Sequence, residues 1–164
     1  MRGKARLVFA ILLVVTAMSI FATSDALPQT VASHFGGNNL ANGWMSRDGY
    51  VVFMLCFALG VPLLLVLTIG GLPRAIPRLV NLPNRDYWLS GERQKESLDY
   101  LLEHAYRLGS VTLLFALGVH LLVLDANTAQ PPRLASGLLV GLMALFFAAL
   151  GLWALALMRR FRKP

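Results

Sequence analysis

Three histidines and one cysteine are the residues of this chain best suited to chemistry, and none belongs to a recognisable reactive set. His34 lies in a Gly/Asn-rich stretch, His104 in a charged amphipathic stretch and His120 inside an apolar run. An ionisable residue within such a run is a functional candidate, because it must face protein or water instead of hydrocarbon. His120 is about one turn from Asp125 at the run's end, so a hydrogen bond to a neighbouring loop is the simplest use for it. His34 and His120 fall on the same side of the apolar runs as Asp25, Asp48 and Asp125. Such nitrogen and oxygen donors suit zinc or copper, but their spacing carries no metal-site signature, and neither a metal nor a cofactor is expected. His104 shares a helix face with Glu96 and Tyr100, a pattern expected of a solvated surface. Cys56 is the single cysteine. It can form neither an intrachain disulfide nor a cysteine cluster. Nucleotide-binding glycine patterns, haem-attachment motifs and His-Glu-x-x-His are missing from the sequence, and a non-enzyme is expected.

The elements that must hold these residues are apolar. Residues 7–23, 50–72, 108–124 and 134–158 form four runs without Asp, Glu, Lys or Arg. Each approaches the roughly 20 residues that cross about 30 Å of hydrocarbon, and backbone in lipid must satisfy its own hydrogen bonds. The expected fold is an all-α integral membrane protein, one membrane domain over residues 1–164 with four transmembrane helices. Residues 24–49 form an ordered outer loop, and residues 73–107 a cytoplasmic loop and helix. Basic residues sort to one side. Arg2, Lys4 and Arg6, then Arg74, Arg78, Arg85, Arg93, Lys95 and Arg107, then Arg159, Arg160, Arg162 and Lys163 fall on the inside, against Arg47 and Arg133 outside. That excess places both termini in the cytoplasm of a bacterial inner membrane. The net charge of +7 is thus a topology signal; no soluble basic domain remains to bind nucleic acid. Residues 1–26 also have the pattern of a secretory signal peptide, and retention as a signal-anchor is expected.

Within this frame, 36–39 and Asn42-Gly43 signal turns in a compact loop, with Trp44 and Tyr50 at headgroup level. Pro62 predicts a kink, and Gly70-Gly71-Leu72-Pro73 a helix stop. Ser90 and Glu92 suit a helix start. Leu98, Leu101, Leu102 and Ala105 make one apolar stripe, predicting an amphipathic helix at the inner interface that leads into span three. Glu103 and Arg107 are spaced to pair on it. In span four, Gly137, Gly141, Ala144, Ala148 and Gly151 line one face, the kind of small-residue stripe that lets helices approach closely in lipid. Gly109, Thr112, Ala116 and His120 share a face of span three. Packing of these stripes within the chain is expected, with another subunit as the alternative.

The outer loop carries a resemblance. Leu27-Pro28, Val31, His34-Phe35, a Gly-Asn turn and Asn42-Gly43-Trp44 resemble a bacterial membrane module, family sixteen-forty-eight of the domains of unknown function, over residues 8–70. That module also occurs in SdpI-type membrane proteins, which resemble toxin-immunity factors. Ala32 stands where the family has proline. The resemblance implies an outward recognition loop bearing His34, Phe35 and Trp44. Together these features predict a non-catalytic accessory subunit or sensor in the lipid bilayer that packs span four against partner helices or self-associates through it. SdpI-like immunity is the first alternative, and a small metal-handling or transport protein the second. The partner-binding candidates are His34, Phe35, Trp44, His120, Gly137, Gly141, Ala144 and Ala148.

Overall fold

The computed structural model describes residues 3–162. In chain order its helices are α1 (Lys4–Ala22), α2 (Arg47–Val66), the short α3 (Leu72–Ala75) and α4 (Arg85–Trp88), α5 (Gly91–Ala126) and α6 (Ser136–Phe161). Two strands, β1 (Thr30–Phe35) and β2 (Ala41–Ser46), lie between α1 and α2. Four helical segments are long and apolar enough to cross a membrane: Lys4–Ala26, Arg47–Ala75, Gly91–Ala126 and Ser136–Phe161. The chain is therefore mostly helical and suited to a multi-pass membrane protein.

α5 is the axis of the bundle. α1, α2 and α6 all pack against it, and α1 also touches α2, whereas α6 makes no comparable contact with either. Small residues of α5 set these approaches. A Cβ on Gly109 would lie 2.6 Å from Phe9 and 3.1 Å from Val66, so α1 and α2 both close on that one position. One on Gly118 would lie 2.9 Å from Leu142 of α6. Thr112, Ala116 and His120 continue the Gly109 face and are all buried. This face of span three therefore packs within the chain.

The span-four stripe does not. Gly137, Gly141, Ala144, Ala148 and Gly151 are exposed, and a Cβ on any of the three glycines would meet nothing within 4 Å. At 100° per residue the stripe lies roughly opposite Leu142, Phe146 and Trp153, the residues turned to α5. The expectation of packing within the chain fails because α6 presents its large residues to α5.

The outer segment departs from an all-α fold. β1 and β2 pair antiparallel, with register shifts around His34. The turn at 36–39 forms, with Asn39 left-handed at φ 64 and its N–H donating to Gly36 O at 2.9 Å. Asn42-Gly43 is not a turn but lies within β2, where Gly43 faces His34 so closely that a Cβ would sit 2.9 Å from the histidine Cβ. Val31 and Met45 reach into the apolar cluster of Ile20, Leu27, Tyr50, Met54, Ala116 and Val123, seating the hairpin on the helix ends.

At the other end, α2 runs through Pro62 as regular helix, and its irregularity falls later, as a π-turn over Leu67–Gly71. The helix does not stop at Gly70-Gly71. Gly70 packs under Leu102 of α5, and the chain turns on through α3 to Ile76, where the following Pro77 disfavours helical backbone. α5 is unbroken over 36 residues, about 54 Å. Its amphipathic first half thus prolongs span three instead of turning along the membrane surface. A second cluster of Val80, Trp88, Leu98, Leu101 and Phe161 gathers there. Trp88 meets Phe161 edge-on at 5.5 Å, and Arg160 lies 4.5 Å over Trp88 while pairing with Glu96 at 2.9 Å. Glu103 does not pair with Arg107 but accepts the Gly3 N–H at 3.0 Å.

Gly109→Leu should lower thermal stability in detergent by about 1–3 kcal/mol through overpacking against Phe9 and Val66. Gly151→Leu, opening into free space, should leave the melting temperature of the isolated chain nearly unchanged.

Candidate functional site

The sequence candidates separate into three places. His34, Phe35 and Trp44 are on the hairpin, His120 is inside the bundle, and the Gly137–Ala148 stripe lies on the outer face of α6. His34 and His120 share no partner.

His120 is fully buried and bonded at both ring nitrogens. Nε2 is 2.8 Å from Thr23 Oγ1 and Nδ1 is 3.0 Å from the Tyr50 hydroxyl. Thr23 Oγ1 lies 2.7 Å from Ser19 O, so its proton points there and its lone pair accepts from Nε2–H. Nδ1 is then bare and accepts from Tyr50 O–H. The assignment follows from this network and makes His120 a neutral imidazole with both nitrogens satisfied. One side chain of α5 thereby ties the end of α1 to the start of α2. Tyr50 stacks on the ring at 5.8 Å and is 2% exposed. Tyr50 therefore turns into the bundle for this bond and is not exposed at the surface.

The hairpin is held from the far side of the chain. The Asn127 side chain accepts the Ala32 N–H at 2.8 Å and donates to Ala32 O at 3.0 Å and Val123 O at 2.8 Å. Its amide thus behaves as a one-residue strand beside β1. Further along, Ala41 N–H donates to Pro132 O, Leu134 N–H to Asn39 O, and Asn39 Nδ2 to Ser136 Oγ at 3.2 Å. Hairpin and α5–α6 loop form one cap. From it His34 projects to solvent, bonded through Nδ1 to Asn42 Oδ1. Phe35 is half-buried, while Trp44 is 55% exposed.

His104 corrects the expectation of a solvated face. It is 3% exposed, stacked between Tyr100 and Trp153 at 5.0 Å from each. Nε2–H donates to Trp153 O at 3.0 Å, and Trp153 Nε1–H donates to His104 O at 2.9 Å. This reciprocal pair ties α5 to α6, together with Arg160–Glu96 and the Tyr100 hydroxyl, which donates to Ala156 O. Asn127, Thr23 and Trp153 were missed as members of these networks. Asn127 reads as an ordinary turn residue after a span, and nothing in a sequence indicates that its amide meets Ala32, 95 positions away.

Among the described residues no three His, Cys, Asp or Glu side chains gather closely enough to hold a metal ion. Cys56 is exposed on α2. No protein-family model, curated protein or solved structure matches this chain.

Asn127→Ala should leave both polar backbone groups of Ala32 without their partner and cost about 1–3 kcal/mol. Amide hydrogen exchange of the hairpin should speed up in this variant. Loss of the exposed His34 in His34→Ala should leave the exchange pattern of the helices unchanged.

Proposed function

We propose that this chain is a non-catalytic bacterial inner-membrane protein that docks another transmembrane helix on the outward face of α6. Its basic end, with both termini, lies in the cytoplasm, and the hairpin cap faces outward. The observation that carries the reading is the placement of the small residues. Helices in lipid gain little from burying apolar surface and associate by close packing, for which glycine and alanine stripes are suited. α5 already uses this device inside the chain at Gly109 and Gly118. α6 has the same device on its open side, with Gly137, Gly141, Ala144 and Ala148 exposed. The occupant is a helix of a larger complex, to which this chain is an accessory subunit.

A second reading is supported by the hairpin. Trp44 stands 55% exposed on a cap tied at several points to the α5–α6 loop. A fixed aromatic of this kind suits recognition of an external peptide, as in an immunity protein of the SdpI type.

Co-purification from native membranes in mild detergent, with mass spectrometry of the retained proteins, separates the two. The accessory reading expects a stoichiometric partner that is lost in Gly141→Leu and kept in Trp44→Ala. The immunity reading expects no stable partner, and loss of protection against toxin challenge in Trp44→Ala with the protein still inserted. A chain that purifies alone as wild type and gives no protection contradicts both.

A further inference from the structure

Between α1 and α5, at the basic end of the bundle, an open cleft of about 360 Å³ is lined by Lys4, Ala5, Val8, Glu103, Arg107 and Ser110. We propose that this cleft binds the headgroup phosphate of an anionic phospholipid between Lys4 and Arg107, with one acyl chain lying along α1. The proposal rests on the chain spanning a bilayer, but not on the partner assigned to α6.

Depth is the first argument. Arg107 and Asp125 bracket the uncharged part of α5. Their 18-residue separation is about 27 Å along a helix, close to the roughly 30 Å of a hydrocarbon core. Arg107 therefore stands at the headgroup boundary of one leaflet. α1 runs parallel to α5, since Phe9 packs at Gly109 and Thr23 bonds His120, which brings Lys4 to the same level.

Charge is the second. Neither Lys4 nor Arg107 takes part in any ion pair among the described residues, in contrast to Arg47, Arg74, Arg85 and Arg160. The single carboxylate of the lining, Glu103, is engaged by the Gly3 N–H. With two cations and one carboxylate, the lining has a net positive charge. Basic pockets between helices on the cytoplasmic side suit anionic headgroups.

Shape is the third, and it selects a lipid over a free anion. Lys4, Val8, Ile11 and Val15 fall at i, i+4, i+7 and i+11, on one face of α1. The three apolar members are exposed, at 49%, 52% and 43%. A cation at the boundary thus opens onto an uncovered apolar track leading into the hydrocarbon, which matches a phosphate joined to an acyl chain.

The test uses the full chain in nanodiscs of phosphatidylcholine with a minor fraction of phosphatidylglycerol. Lipid retained after extraction into mild detergent is read by native mass spectrometry. Phosphatidylglycerol should be retained selectively, and the double variant Lys4→Gln/Arg107→Gln should lower that selectivity on the order of tenfold. Lys4→Arg/Arg107→Lys should preserve it, which separates charge from misfolding. Arg78→Gln/Arg159→Gln, at exposed positions elsewhere on the same end, should also preserve it. Unchanged selectivity in Lys4→Gln/Arg107→Gln, or an equal loss in Arg78→Gln/Arg159→Gln, overturns the proposal. So does displacement of the bound phosphatidylglycerol by inorganic phosphate, which would make the cleft a site for a free anion.

Discussion

Close approach to one helix is the constraint on which the structure depends. α1, α2 and α6 each reach α5, and the two glycines Gly109 and Gly118 fix how near they come. In water a bundle of this size would be held by excluding solvent from its core. In lipid that term is small between helices, and contact geometry with a few hydrogen bonds must replace it. The hydrogen bonds sit in opposite halves of α5. His120 binds Thr23 and Tyr50 near the hairpin, and His104 exchanges bonds with Trp153 toward the basic end. His120 is a neutral connector bonded through both ring nitrogens, whereas His104 ties α5 to α6 through Nε2 and its own carbonyl. Both imidazoles are buried within the bundle.

The arrangement is asymmetric, and the asymmetry bears on function. Three helices are mutually packed, while α6 rests mainly on α5, with Trp88 of α4 meeting its last turn, and only Phe161 of its residues is fully buried. Phe115–Phe146 and His104–Trp153 hold its inner side, leaving the small residues outward. A helix positioned in this way is held along one side and keeps its small-residue face open. The hairpin cap complements this. By joining the α1–α2 segment to the α5–α6 loop through Asn127 and residues 132–134, it fixes the start of α6 relative to the rest of the chain.

The four apolar helices were legible in the sequence, because length and the lack of charge are properties of each run by itself. The close-packed face of α5 was also legible as the Gly109–His120 periodicity. What escaped depends on partners distant in sequence. The hairpin's strands are short and their residue types do not alternate cleanly, and the Ala32 backbone groups find their partner only in Asn127, distant in sequence. Asn42-Gly43 reads as a turn from its residue types, but Gly43 is there to admit His34 across the ladder. His104 has charged neighbours in sequence and aromatic ones in space. The direction of the α6 stripe was unreadable for a related reason. A small-residue face states that something comes close, and only the placement of Leu142, Phe146 and Trp153 decides that it is not α5.

The most direct test of this account is cross-linking from α6 in native membranes. In a Cys56→Ser background, Ala144→Cys places a thiol on the outward stripe and Ala149→Cys turns one toward α5, where Ala149 lines the α5–α6 groove. A covered outer face predicts a discrete cross-linked product with another polypeptide from Ala144→Cys and none from Ala149→Cys. Free, lipid-exposed behaviour at Ala144→Cys, with no product in membranes that contain every native partner, would contradict it.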